Sequence, residues 1–471
     1  MLNQKLYELK NWDRVIHTTW NPEGPGVIRM HMIPPKFTPF KLAETLVIIN
    51  GSEILPINES GAILLTEYVR NVNEFGEKPM SDKDLEEIIR KTFRSVKKVF
   101  PRVKDEVLKE DLLNYIGVFE AVAKGEAVES EYGQMSIGEY SRYMSAPHRM
   151  DLMVSAMTHD GKWNCNQKCV HCYAADQKCA EEKELSTEEW KTIIGRLRKA
   201  KVSQVTFTGG EPTIRKDIPE LIREARWFIT RLNTNGVNLT EDYCRQLYDA
   251  ELDNLQVTFY SCDEDVHNRL VGAPNYQKTL SGIKNAVAAG INMSINTPIC
   301  RLNKDYKKTL EFLHDLGIIY VTCSGLILTG NAKSGESGEM RIEGEELYES
   351  LREAVEYAYS HDMEISFTSP GLVSQERLTS MGLDIPSCGA CLSNMAVTPS
   401  GNVVPCQSWL SDEPLGNILT TDWKKIWNAP ACRKIREISA RMKPTEWLKG
   451  SQTSSGVWRE DTGLLSRECM K

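Results

Sequence analysis

Residues 151–172 read DLMVSAMTHDGKWNCNQKCVHC. The first seven form an apolar run of strand length, and they feed a loop in which Cys165, Cys169 and Cys172 stand in a Cx3Cx2C spacing. Three thiols in one short loop are too close together for a spread disulfide framework. Thiolate sulfur is a soft ligand that suits iron–sulfur clusters, zinc and copper(I). A cubane cluster takes four cysteines, so three local ones leave one iron open to a cofactor or substrate. The same triplet also reads as three ligands of a structural zinc site whose fourth lies elsewhere, such as His171.

Outward from this stretch the chain alternates strands and helices. Expected strands are Asp151–Met157, Gln204–Thr208, Phe228–Asn233, Leu255–Tyr260, Asn292–Pro298 and Ile318–Cys323. Amphipathic helices with readable caps lie between them: Ser186 with Glu189 forms a capping box, Thr240 opens another helix, and Gly290 and Gly317 fit as stops. Six β-α units in sequence imply an α/β parallel sheet, either a barrel or doubly wound, with ligands at the C-terminal strand ends. The motifs obey that rule. The cysteine loop follows strand one, Thr208-Gly-Gly-Glu-Pro-Thr213 strand two and Asn233-Thr-Asn-Gly236 strand three, with Ser261 and Asn296 near the ends of strands four and five.

The flanks differ. Thr45–Asn50 and Ser52–Ile57 around Gly51 read as a hairpin, followed by helices over Glu59–Val72, Ser81–Val96 and Lys104–Lys124. This describes a winged-helix-like α+β module, and its interleaved Lys and Glu residues argue against a DNA-reading face. After residue 340 come a helix, Gly344–Ser360, a strand, Glu364–Thr368, and a second cysteine group, Cys388, Cys391 and Cys406. The expected divisions are 1–130 with a linker to 148, 149–340, 341–443, and a polar tail over 444–471.

The bulk numbers exclude several classes. With a net charge of −8 and a pI of about 5.7, no global basic field draws the chain to nucleic acid or anionic lipid. Charges interrupt every apolar run before membrane length, and Met1–Arg14 lacks a signal-peptide core. Thirteen cysteines in such a chain point to a reducing compartment and metal or redox chemistry, so the expected location is cytoplasmic, with neither nucleic acid nor membrane as partner.

Gly209-Gly210-Glu211-Pro212 offers backbone that a ligand can approach closely, a carboxylate and a rigid stop. Together with Cx3Cx2C one strand upstream, it makes the chain resemble the radical S-adenosylmethionine (SAM) enzymes over about residues 151–331. The resemblance implies a partial (β/α)6 TIM-like barrel and a [4Fe–4S] cluster on Cys165, Cys169 and Cys172 whose open iron chelates SAM. One-electron reduction would then yield a 5′-deoxyadenosyl radical. It also implies His171 beside the adenine, Gly209, Gly210, Glu211 and Pro212 at the methionine ammonium, Ser261 and Asn296 at ribose or carboxylate, and Leu328 to Asn331 at adenine. A flavodoxin- or ferredoxin-like protein would supply the electron.

Cys388-x2-Cys391 with Gly401-x4-Cys406 resembles the auxiliary-cluster extension of that family, the SPASM or Twitch type, and implies an auxiliary Fe–S cluster, [4Fe–4S] in type. A full SPASM domain continues with Cx2Cx5Cx3C, where this chain has Glu446-Trp-Leu-Lys-Gly450. One auxiliary cluster is therefore expected, with Cys432 or Cys469 as fourth ligand, or an open site. The N-terminal module resembles the PqqD-like element that captures a leader peptide by strand addition. Cys262, Cys300 and Cys323 near strand ends are candidate hydrogen-atom donors, or else small buried hydrophobes.

The expected function is a radical SAM maturase that crosslinks residues of a ribosomally made precursor peptide through a thioether, carbon–carbon or carbon–oxygen bond. Two alternatives stay open: a radical SAM enzyme for a small molecule or folded protein, and a zinc-stabilised nucleic-acid-binding protein.

Overall fold

A computed structural model describes residues 2–11, 17–20, 28–33, 45–51, 53–76, 80–123, 136–327, 329–333 and 340–441. Contacts divide the chain into two compact units, Met1–Ala146 and Pro147–Lys471.

The first unit opens with a helix, Leu2–Asn11, and four antiparallel strands: β1 (His17–Trp20), β2 (Ile28–Ile33), β3 (Thr45–Ile49) and β4 (Glu53–Ile57), in that spatial order. The expected hairpin is β3–β4. Its turn places Asn50 and Gly51 in the left-handed region, at φ 48° and 76°, which these two residues tolerate best. Helices Glu59–Phe75, Asp82–Lys97 and Asp105–Ala123 follow. Asn58 caps the first of these by accepting from Gly61 N at 2.8 Å, and Ser81 and Asp84 form a reciprocal capping box on the second. A side chain at Gly61 would meet the Tyr115 hydroxyl, so glycine lets the first and third of these helices touch. Val47, Ile49, Leu55, Ile63, Phe93 and Leu112 fill the core beneath the sheet, each buried side chain stabilising by roughly 1.5–3 kcal/mol. The helix at Leu2–Asn11 and strands β1 and β2 have no clear periodic signal and are additions to the sequence reading.

The second unit is built on one sheet. Its strands are β5 (Arg149–Ser155), β8 (Gln204–Gly209), β9 (Ile229–Thr234), β10 (Asn254–Thr258), β11 (Met293–Pro298), β12 (Tyr320–Ser324), β13 (Glu364–Phe367), β14 (Asn394–Val397), β15 (Asn402–Val404) and β16 (Gly416–Asn417). A small separate ribbon pairs β6 (Thr158–His159) with β7 (Lys162–Trp163). The order β13-β12-β11-β10-β9-β8-β5-β14-β15-β16 is parallel from β13 to β14 and antiparallel beyond. β13 and β16 end it, so the barrel does not close. The six expected units are β5 and β8–β12 with their helices, a partial (β/α)6 barrel. The expected caps form: the Ser186–Glu189 box, Thr240 accepting from Tyr243 N, and positive φ at Gly290 and Gly317.

The two faces of this sheet differ sharply in chemistry. Leu152, Val205, Phe207, Leu232, Val257, Ile295 and Val321 are buried on the helix-covered face. The alternate positions, Arg231, Asn233, Gln256, Thr258, Asn296 and Thr322, are half-buried and polar. The inner face of the open barrel therefore carries amides and hydroxyls.

Candidate functional site

The cysteine loop leaves the C-terminal end of β5 and is tied down through its backbone amides and carbonyls. Val271 O and Leu270 O accept from Lys168 N and Val170 N at 2.9 and 3.0 Å. Cys172 O accepts from Asn331 N at 2.9 Å, Cys169 O from Asn331 Nδ2 at 3.3 Å, and Gln167 O from Trp163 Nε1 at 2.7 Å. Gly272 and Gly330 back the loop: a Cβ would come within 2.2 Å of Lys168 O at the first and 2.4 Å of Cys172 O at the second. Such packing fixes the three thiols, all half-buried, before any ligand arrives.

Around the sulfurs the loop offers donors. Backbone N–H groups of Gln167 and Asn166 donate to Cys165, and those of Ala174 and Ala175 to Cys172. Without iron, burial pushes the Cys165 thiol up to about 12, and burial and then the neighbouring thiols raise Cys169. Asn166 Nδ2, Gln167 Nε2 and His171 Nδ1 are buried and unpartnered. Orphaned buried donors around thiolates are what anionic sulfide and sulfur ligands would satisfy. Among the described residues no three His, Cys, Asp or Glu side chains are placed to hold a single metal ion. The three thiols and the donors around them fit the ligand shell of an iron–sulfur cluster.

Glu211 is buried on the neighbouring rim. Its Oε1 accepts from Thr213 N, Thr213 Oγ1 and Thr234 Oγ1 at 2.9, 2.5 and 2.7 Å, and its Oε2 from Asn235 N at 2.8 Å. Burial raises its pKa and these four bonds oppose the rise. The carboxylate expected at the methionine ammonium is thus turned onto its own rim, linking the ends of β8 and β9. Gly210 O, 3.5 Å from Cys165 Sγ, stands beside the cysteine loop. Pro212 is buried and starts a single turn of helix. Gly209, at φ 139°, is required because a Cβ would meet Ser155 O at 2.3 Å.

His171 is brought to Tyr260, with Nε2 3.1 Å from the phenol oxygen and the rings edge to face. Burial lowers the His171 pKa to about 4, so the imidazole is neutral. The Tyr260 hydroxyl also bonds Cys169, a link that the sequence reading missed. Ser261 Oγ accepts from Asp263 N at 3.1 Å, and Asn296 Oδ1 accepts from Thr322 Oγ1 at 3.0 Å on the polar face. Asn331 is committed to the cysteine loop, and Leu328 lies outside the described residues. Cys262 is half-buried, Cys300 buried beside Tyr260, and Cys323 fully buried on the helix-covered face with Sγ toward Ser366 O. Strand alternation thus turns Cys323 away from the polar face, where a hydrogen-atom donor would have to sit.

The second cysteine group forms at β14 and β15. Cys391 N donates to Pro405 O at 3.1 Å, which brings the Cys388–Cys391 turn to Cys406. Cys391 holds φ 55°, a left-handed conformation costing roughly 1–2 kcal/mol in a residue with a Cβ. Of the two expected fourth ligands, Cys432 is described and bonds Cys391, while Cys469 lies outside the described residues. The segment after Cys172 is stitched to this group. Cys179 N donates to Leu410 O at 3.0 Å and Leu185 N to Pro399 O at 2.9 Å. Glu182 accepts from Thr398 Oγ1 at 2.7 Å, from Asn402 Nδ2 at 3.0 Å and from Ser400. Nothing local in the sequence marks Glu182, whose partners are distant in the chain.

Residues 164–313 match the model of the radical SAM superfamily, and residues 388–447 that of the iron–sulfur cluster-binding SPASM domain. Among solved structures, the chain is similar to Streptococcus suis SuiB bound to S-adenosylmethionine, with a TM-score of 0.55 at 16% identity over 84% of this chain and 87% of that one. SuiB bound to its precursor peptide SuiA gives a TM-score of 0.54 at 16% identity over 83% and 87%. Native anSMEcpe with bound AdoMet and the Kp18Cys peptide gives 0.50 at 15% identity over 62% and 84%. At these identities the likeness establishes the fold. A radical SAM domain binds a [4Fe–4S] cluster and SAM, and a SPASM domain binds auxiliary Fe–S clusters. No helix among the described residues is long and apolar enough to cross a membrane.

Proposed function

We propose that this chain, whose residues 164–313 and 388–447 match the radical SAM superfamily and the SPASM domain, is a maturase that crosslinks residues of a ribosomally made precursor peptide held through its leader. The cofactors supply the hard chemistry, a 5′-deoxyadenosyl radical able to abstract a hydrogen atom. The chain's residues hold and orient. Cys165, Cys169 and Cys172 would carry the cluster, the Gly209–Gly210 backbone and His171 would seat SAM, and Asn233, Gln256, Thr258 and Asn296 would meet the amides of a peptide in the open barrel.

One observation carries the crosslinking reading: a single sheet bears both cysteine sites. β5 leads into the first cysteine loop and is hydrogen-bonded to β14, which lies between Cys391 and Cys406. When a carbon radical joins a thiol, hydroxyl or C–H partner, the new bond releases one proton and one electron. An auxiliary cluster held by Cys388, Cys391 and Cys406 is the proposed acceptor of that electron. A flavodoxin- or ferredoxin-like donor would supply the electron for SAM cleavage. The leader would add to the first unit's sheet. β3 already has both edges paired, which among the described residues leaves β4 as the open edge of the expected hairpin. SuiB, similar in fold across more than four-fifths of this chain, binds a precursor peptide, which supports this substrate class.

The test uses anaerobically reconstituted full-length protein with SAM, a reductant and the peptide encoded by a neighbouring short reading frame. The expected result is 5′-deoxyadenosine and a peptide lighter by the hydrogens lost at each new bond. 5′-Deoxyadenosine with every such peptide unaltered would favour a small-molecule or folded-protein substrate. A colourless protein holding only zinc would overturn the enzyme reading.

A further inference from the structure

We infer that the auxiliary cluster is closed by Cys432, which completes an all-cysteine ligand set with Cys388, Cys391 and Cys406, and that Arg436 positions and tunes this fourth ligand. The inference deepens the reading above and rests on residues 388–447 holding iron.

The geometry begins with the helix Pro430–Arg441. Cys432 and Ser439 stand seven residues apart and share one helical face. That face covers the Cys388–Cys391 turn. Ser439 Oγ donates to Ala390 O at 2.8 Å and also bonds the Cys388 thiol. The Cys432 thiol meets that of Cys391, and neither residue is exposed to solvent. Gly389 permits the turn, since a Cβ there would meet Ser393 Oγ at 2.0 Å and Asn394 Oδ1 at 2.3 Å. With Cys391 N on Pro405 O, residues distant in sequence bring Cys432 against Cys391 and carry the Cys388–Cys391 turn to the segment of Cys406.

An ordinary core cysteine needs no cation, yet this one has a cation built onto it. Arg436, one turn after Cys432, points Nη1 at the Cys432 sulfur from 3.4 Å and Nη2 at Trp427 O from 3.2 Å. Its guanidinium lies 3.7 Å over the Trp427 ring. Among the described residues it makes no ion pair with a carboxylate. A guanidinium keeps its charge at any physiological pH, and this half-buried one is aimed at a sulfur, a carbonyl and a ring. A thiolate ligand supplies the missing anion. The same charge stabilises the reduced, more negative state of a cluster bound there.

The consequence is a division of labour. With four protein thiolates the auxiliary cluster has no open iron, so it exchanges electrons and does not coordinate substrate. Substrate capture then falls to the polar face of the barrel.

The experiment removes the first site, replacing Cys165, Cys169 and Cys172 by Ala in the full chain, and reconstitutes the protein anaerobically. The expected content is about four irons per chain. Cys432→Ala in this background is expected to lose that iron, and Cys432→Ser, close to isosteric, to keep the fold by circular dichroism while changing the Mössbauer spectrum at one iron. Cys469→Ala is expected to change neither. Arg436→Gln is expected to keep the iron and move the midpoint potential to more negative values. Iron content and spectra indifferent to both Cys432 substitutions, or iron stripped by Cys469→Ala, would overturn the assignment. Zinc in place of iron in the parent variant would instead sink the iron–sulfur reading of the region itself.

Discussion

The amide of Asn331 donates to the carbonyl oxygen of Cys172 at 2.9 Å, and the residue just before it, Gly330, presses its bare Cα face on that same oxygen. The far strand end of the barrel therefore holds the cysteine loop by direct backbone contact. Gly330→Ala would place a Cβ 2.4 Å from Cys172 O in a residue at φ 56°. We expect a loss of about 2 kcal/mol or more in anaerobic urea unfolding, with reduced iron at the first site only. Gly317→Ala, at φ 82° with open space around it, should cost about 1 kcal/mol and leave the iron unchanged.

Glu182 offers a test of the second site. Its carboxylate gathers Thr398, Ser400 and Asn402 at the turn that leads to Cys406. Charge-assisted bonds of this kind contribute roughly 1.5–3 kcal/mol each before compensation. Glu182→Ala should lower stability by about 2 kcal/mol and diminish the auxiliary iron selectively, as read by iron content in the variant lacking the first three cysteines.

A pH dependence follows from His267. It is fully buried, and that burial lowers its pKa to about 4, whereas an unfolded chain holds histidine near 6.5. A depressed folded value means the stabilising contribution is present above pH 6.5 and is lost as pH falls from there toward 4. Between pH 7 and 5.5 the wild-type chain should lose about 1 kcal/mol through this residue. His267→Gln should show a shallower slope over the same interval in urea unfolding, and an unchanged slope would count against the assignment.

Leader binding has its own readout. If the peptide adds as a strand to the open edge, amide exchange in full-length protein should slow across Glu53–Ile57 when leader is present. Thr45–Ile49, already paired on both sides, should change little. Protection confined to His17–Trp20 would place docking on the opposite edge.

The sequence was most legible where one short segment carries the whole signal. Cx3Cx2C, the Gly-Gly-Glu-Pro loop, the Ser186–Glu189 box and the Asn50-Gly51 turn are local, so their residues announce themselves. Less legible was everything decided by pairing at a distance. β14 takes its place beside β5 through a parallel ladder between segments that no periodicity links. The approach of Cys432 to Cys391 depends on a helix folding back over a turn, and Glu182 is one acid among many until Thr398 and Asn402 reach it. Glu211 shows a further gap: its position was evident, but its inward turn onto Thr213 and Thr234 depends on a rim that only the assembled strands create.

The shared sheet beneath the two cysteine sites has a mechanical consequence. Electron tunnelling weakens exponentially with separation, and across a hinge that separation would fluctuate. Here β5 and β14 lie side by side in one ladder, with Ala396 opposite Asp151 and Val397 opposite Leu152. The spacing of the two cysteine sites is therefore set like the spacing of rungs, by one hydrogen-bonded ladder.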